Sequence, residues 1–417
     1  MTEETNLENV GNLNTQLVLV LGVAALIVLV LMVAGARSLG KVSMVMVPLC
    51  FMLMVTLVIR SCLADGAPQG VLMFLTPNWS LLKEPSLWLE ASTHVIFSLQ
   101  LGLGVQSALA RANKYRHNLV RDAGVVLVTH TVWVLLCVLL TLSLLGAADI
   151  GPVTVQVTSS ITGDNIWLAA VTILDKSLLT LSYGWLWAGL YFVLVTLTAI
   201  TSLYGYIEVI SSSFSDIKPS LIKLKPLITF IVITLIFLMD LALATRAGVH
   251  VYHLLYTYVA TWPCLLIILM TLISATLSHG TRHVMKDLSD LSKVTLPHWV
   301  TSHMSVIYTT VAPIMVTAAA AWSLYTLHLD HLEDPMASFG VSLIDLSWTK
   351  ILGWSLYGLT VLPIVLGVLL RLAWITRGVP LITVSLSVDV ILTVLKYFST
   401  ISASASKFQS DRRMVQK

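Results

Sequence analysis

The chain has 417 residues, 57% of them hydrophobic and only 11% charged, with a formal net charge of +3. That composition excludes a soluble domain, and so small a net charge leaves no basic surface for nucleic acid. Several apolar runs reach the roughly 18 to 20 residues needed to cross about 30 Å of hydrocarbon, so the fold class is all-α, a polytopic transmembrane helical bundle surrounded by lipid.

Residues 1–16 carry Glu3, Glu4 and Glu8 without lysine or arginine, so they lack the basic start of a signal peptide and are expected as a short extracellular stub. Residues 17–376 are expected as one transmembrane domain of about nine spans, at 17–34, 42–59, 88–110, 123–145, 186–210, 227–244, 256–278, 305–327 and 351–375. If the N-terminus lies outside, only Arg60, Lys83, Lys176, Arg246 and Lys350 of the 24 basic residues fall on the outer side. The opposite orientation would place nearly all of them on the wrong face, so the positive-inside rule sets the N-terminus outside and the C-terminus in the cytoplasm of an integral plasma-membrane protein.

The connections differ in kind. The stretch from Ser61 to Pro85 reads as an outer loop with an N-glycosylation sequon, Asn78-Trp79-Ser80, beside the alternative that the triplet is chance. The long connection from Gly146 to Tyr183 contains a short apolar stretch, 166–174, expected as a lid that dips into the protein. The apolar run at 379–398 contains Asp389 and is expected as an interfacial segment of the cytoplasmic tail, 377–417. Cys50, Cys62, Cys137 and Cys264 all sit in or beside apolar runs, where packing is the default role.

No soluble-enzyme motif survives inspection: HExxH, P-loop and GxSxG are all missing, and Gly102-x-Gly104 lacks the βαβ context of a dinucleotide site. His279 and His283 read as a basic helix end, and His328, Asp330, His331, Glu333 and Asp334 as a solvated acidic loop in preference to a metal site. Two stretches are more informative. In 88–122, Ser98, Gln100, Gly102 and Gly104 interrupt a membrane-length apolar run, which bilayer physics permits where backbone lines a cavity or is buried in protein. Close packing of a glycine-rich helix is the alternative. In 197–208, Thr198, Thr201 and Ser202 stand at i, i+3 and i+4 on one helix face, where hydroxyls could offer hard oxygen ligands to an alkali cation or bond back to the helix's own carbonyls. Glu208, near the inner end, is expected to pair with a loop lysine or arginine, and His130 to face the protein interior.

Phe97-Ser98-Leu99-Gln100-Leu101-Gly102-Leu103-Gly104, Asn113-Lys114-Tyr115 and Arg121-Asp122-Ala123 together resemble the sixth helix and the start of the seventh of the neurotransmitter:sodium symporters, proteins of leucine-transporter-like fold. Further pieces agree in order: Ser38-Leu39-Gly40-Lys41 and Ile59-Arg60, Leu75-Thr76-Pro77-Asn78-Trp79, Ile200-Thr201-Ser202, and Thr245-Arg246-Ala247-Gly248 with the residues that follow. Nothing resembles that family's first three helices, so the chain reads as a partial version of the fold, possessing half of each ion site. The resemblance implies sodium as the coupling ion and a small zwitterionic or amino-acid-like solute. Phe97, Gln100, Leu103, Ser202 and Tyr206 would face the solute, with Ser98 bridging it to a first sodium beside His130. Thr198, Thr201 and Ser202 would hold a second sodium. His130 stands where the family has a sodium-ligating Asn, while Val134 and His94 replace a Ser and a Gln that hold chloride, so chloride is not expected. The alternative is a transport-inactive membrane scaffold acting through protein partners; oligomeric state has no signature in the sequence.

Overall fold

The structure is a computed structural model that describes residues 12–33, 36–76, 78–110, 117–147, 177–217, 219–245, 247–255, 258–259, 261–274, 276, 281–291, 297–330 and 347–377. Its helices, in chain order, are α1 (Thr15–Val33), α2 (Ala36–Cys62), α3 (Ala67–Leu75), α4 (Pro85–Ser98), α5 (Val105–Ala110), α6 (Leu119–Ala147), α7 (Gly184–Ile217), α8 (Lys225–Leu243), α9 (Gly248–Leu255), α10 (Thr261–Ser274), α11 (Thr281–Leu291), α12 (His298–Val306), α13 (Ala312–Asp330) and α14 (Ser347–Arg377). Short 3₁₀ turns precede α4 and α8, and a π turn, Ile307–Val311, joins α12 to α13. Among the described residues, six stretches are long and apolar enough to cross a membrane: Thr15–Met32, Gly40–Cys62, Leu119–Ala147, Gly184–Ser215, Ser220–Leu243 and His298–Tyr325. The remaining expected spans are α10, α14 and the pair α4 and α5, so the expected all-α polytopic bundle is the fold.

The helices form two packed groups. In the larger, α7 is central: Ala188, Tyr191 and Leu194 pack on Met54 and Leu57 of α2 and Leu140 and Leu144 of α6, whereas Ile200, Tyr204 and Ile207 pack on Val28 of α1 and Val232 of α8. In the smaller, Cys264, Leu265 and Ile268 of α10 meet Val316, Ala319 and Ala320 of α13, with Ile96 and Phe97 of α4 against them. Away from these seams the helices stay apolar, with Leu19 and Val30 each 70% exposed, as surfaces meant for lipid should be. All four cysteines are free thiols, buried or half-buried, in line with the packing role.

The connection between α2 and α4, read from the sequence as a loop, contains α3. Gly66 enters it at φ 84, and α3 lies so close to the end of α6 that the Gly70 and Gly146 backbones are in direct contact. Below this seam Ser61 and Ser143, both fully buried, share a 2.7 Å hydrogen bond across α2 and α6. At the start of the chain, Asn14 caps α1 through its side chain, and its backbone N–H donates to Ala244 at the end of α8. The stretches 166–174 and 379–398, the tail 378–417 and the acidic residues Glu333 and Asp334 lie outside the described residues.

Candidate functional site at the broken helix

The expected span 88–110 is broken, and its sequence explains where. After Ser98 the backbone turns left-handed at Gln100 (φ 53), Gly102 (φ 76) and Gly104 (φ 80), a conformation that cannot continue an α-helix. The end of α4 is closed by two reverse bonds, Gln100 N–H to Phe97 O (3.0 Å) and Leu101 N–H to Ile96 O (3.0 Å), the pairing of a Schellman cap. Gln100 occupies the position that usually carries glycine. Gly102 has a second reason to be glycine, since a Cβ there would drive into the Ile268 side chain of α10. Chain direction resumes at α5, whose first bond runs from Ala108 N–H to Gly104 O (2.9 Å). There α5 is seated on α7: a Cβ on Gly205 would come 3.0 Å from Val105 Cγ1, and one on Gly104 would come 3.2 Å from Val209 Cγ1.

Two residues expected to face the solute converge on α10. Phe97 and Leu103 pack in one apolar cluster with Cys264 and Ile268, while Tyr206 is half-buried on α7. Gln100 is half-buried at the turn. Ser98 and His130, 32 residues apart in sequence, meet across α4 and α6 with Ser98 Oγ 3.2 Å from His130 Nε2. The Ser98 hydroxyl also donates to Val95 O (3.2 Å), so in that arrangement the imidazole is the donor to Ser98 and leaves that oxygen one lone pair. His94 stacks beside His130 with ring centroids 6.4 Å apart. Phe97, Ser98, Gln100 and Leu103 therefore lie at the break with His130 beside it, but the position expected for the first sodium has one nitrogen where a hard cation prefers oxygen.

Thr198, Thr201 and Ser202 do share a face of α7. Ser202 is exposed and the two threonines half-buried, opposite the packed side that carries Ile200 and Tyr204. Both threonine hydroxyls bond back to the helix: Thr198 to Leu194 O (3.1 Å) and Val195 O (2.9 Å), Thr201 to Thr198 O (2.8 Å). Because α7 runs unbroken through this region, the Thr198 carbonyl already serves the helix ladder, and the Thr201 hydroxyl takes its second lone pair. No carbonyl is freed at Thr198 by a break in α7. Thr201 Oγ1 keeps its own lone pairs and can still accept a cation.

Farther along α7, Glu208 is buried and forms a 2.5 Å ion pair with Lys225 at the start of α8, the kind of partner expected for it. Its other carboxylate oxygen is buried without a partner. The exposed Asn78 accepts hydrogen bonds from both the N–H (3.1 Å) and the hydroxyl (2.7 Å) of Ser80 in the turn before α4. Sequence reasoning missed Gln106, whose side chain crosses the break to Leu99 O (3.1 Å); a lone amide in the first turn after a glycine break was the available signal. Among the described residues, no group of three or more His, Cys, Asp or Glu side chains is placed to hold a metal ion.

Comparison with known proteins gives a consistent answer. The family model described as the Sodium:neurotransmitter symporter family matches residues 1–375. Similar proteins include the sodium- and chloride-dependent glycine transporter 2 of Xenopus laevis, 24% identical over 358 residues, which are 85% of this chain and 43% of that protein. The neutral and basic amino acid transporter B(0+) of Mus musculus is 24% identical over 348 residues, 82% of this chain and 54% of that protein. The sodium- and chloride-dependent GABA transporter 2 of Rattus norvegicus is 28% identical over 267 residues, 63% and 44% of the two chains. The chain spans about half the length of these relatives. It belongs to the sodium:neurotransmitter symporter family, a family of transporters and not of enzymes.

Proposed function

We propose that this chain works in sodium-coupled symport of amino acids or related small zwitterionic solutes, with its N-terminus outside the plasma membrane and its C-terminus in the cytoplasm. The observation that carries the proposal is the six-residue break between α4 and α5, which opens backbone in the middle of an apolar span while Phe97 and Leu103 converge on α10 beside it. Ser98, Gln100 and Ser202 supply polar contacts to the solute. The better sodium position is the α7 face, where Thr201 and Ser202 offer oxygens. Thr198 joins them through its carbonyl only when the Thr201 hydroxyl turns away from it.

The relatives' names include chloride dependence, but Val134 and His94 offer neither the hydroxyl nor the carboxamide by which the family holds that anion. Solute uptake by cells expressing the chain should disappear when sodium is replaced by an organic cation and survive replacement of chloride by gluconate. An endoglycosidase-sensitive glycan on Asn78 in the same cells reports which side the α3–α4 connection occupies. Loss of flux in gluconate would restore the chloride site; no uptake above that of control cells under any condition would favour the transport-inactive scaffold. That second reading draws on the Ser98–His130 bond, which occupies the first sodium position from within.

Substitution at Thr201 tests the ion site itself. Thr201→Val keeps shape and removes one oxygen, so sodium affinity should fall on the order of tenfold if a ligand is worth about 1 to 2 kcal/mol. Thr201→Asp should preserve or tighten binding, because the ion then pairs the new charge. Sodium-dependent thermal stability of the two variants reads this out. A silent valine with a destabilised, sodium-insensitive aspartate leaves only the back-bonding role.

A further inference from the structure

The break removes helix bonds that have to be made elsewhere. Once the backbone turns left-handed at Gln100 and Gly102, the residue 103 N–H no longer points at Leu99 O, the acceptor it would serve in an unbroken helix. In hydrocarbon an unpaired carbonyl is expensive, since no water replaces the lost donor. The Gln106 amide fills that gap by donating Nε2–H to Leu99 O at 3.1 Å from the first turn of α5. The two ends of this bond belong to bodies fixed to different neighbours. On one side α5 is seated on α7 through Gly104 and Gly205, and on the other the end of α4, carrying Phe97 and Ser98, packs against α10 and α13.

We infer that Gln106 is a positioning residue that clasps the broken helix, fixing the end of α4, and with it Phe97 and Ser98, relative to α5 and the polar face of α7. The consequence for solute binding rests on the symport reading above; the clasp itself does not. A side-chain bond can be broken and remade as α4 and α5 shift relative to each other, which a backbone ladder does not allow without local unwinding. Gln106 therefore acts on solute affinity through the geometry of the break and touches no ion.

Three variants of the full chain separate donor chemistry from bulk. Gln106→Met keeps length and removes the donor, Gln106→Glu keeps shape and sets an acceptor against the Leu99 carbonyl, and Gln106→His restores an N–H at similar reach. Amide hydrogen exchange over residues 97–106 should quicken at least fivefold in the Met and Glu variants and stay near wild type in the His variant. In sodium-driven uptake the solute KM should rise about tenfold in the first two, again with recovery in the third, while thermal stability measured without sodium changes little. If exchange at the break and KM are unmoved in the Met variant, the clasp is overturned. Equal destabilisation of all three, with exchange and KM unchanged in the folded fraction, overturns it in favour of a packing role. If the wild type shows no sodium-driven uptake, faster exchange in the Met and Glu variants still upholds the clasp and the symport reading alone falls.

Discussion

Replacing Gly70 with alanine is expected to destabilise the folded protein by about 3 kcal/mol, the upper end of what overpacking usually costs. Helix propensity alone points the other way, since alanine is favoured over glycine by roughly 1 kcal/mol inside a helix. Sterics reverse the sign. A Cβ on Gly70 would collide with the Leu142 carbonyl and the adjoining Ser143 nitrogen, and these are backbone atoms of α6 that cannot swing aside as a side-chain tip can. The matching control is Gly124→Ala in the same α6, where a Cβ would meet nothing within 4 Å and the effect should be neutral or slightly stabilising. Thermal unfolding of both variants in detergent decides it, and a Gly70→Ala protein as stable as wild type would show that the α3–α6 seam has room to open.

Lys225→Met should be the more damaging half of an asymmetric pair. It leaves the Glu208 carboxylate, whose side chain is only 5% exposed, without its counter-charge, and an uncompensated buried charge typically costs about 3 to 5 kcal/mol. Glu208→Gln removes the charge that needs pairing. Lys225, at 28% exposure, can then extend its ammonium toward water, so this variant should lose only about 1 kcal/mol. The double variant should recover most of what Lys225→Met loses. Equal losses from the two single changes, with no recovery in the double, would mean that the pair is held by packing and not by charge.

Much of this was legible along the chain, for physical reasons that differ by element. The spans were readable because lipid demands length and apolarity, and both are written in composition. The interruption was readable because Ser98, Gln100, Gly102 and Gly104 fall together in the middle of a span, although glycines there could equally have served close helix packing. The shared face of Thr198, Thr201 and Ser202 followed from helical period alone, and Glu208 found the lysine that burial requires. The connection at 67–75 was not legible as a helix, since a segment of nine residues owes its stability to the α6 backbone it rests on. Ser98 and His130 are 32 residues apart and meet only once α4 and α6 are placed side by side in the fold, which no local pattern reports. Nor could spacing show that Thr201 donates to Thr198 O, because the same hydroxyl rotor serves a cation or a carbonyl equally well.

The π turn at Ile307–Val311 carries a consequence for how the helix around it faces its surroundings. It sits just before Pro313, whose ring would clash with the Thr309 carbonyl in a regular α-turn; widening the coil there, with Ala312 N–H reaching back to Ile307 O, relieves that clash. A π turn holds one residue more than an α turn, so the two halves of the rod are out of phase by about 100°. A single helical wheel drawn through His298–Asp330 therefore misplaces one half by that angle. Drawn separately, the later half aims Val316, Ala319 and Ala320 at α10, while the earlier half leaves Trp299 exposed at 67%. One surplus residue thus works as a crank, letting one rod grip the bundle along one azimuth and turn a different one outward.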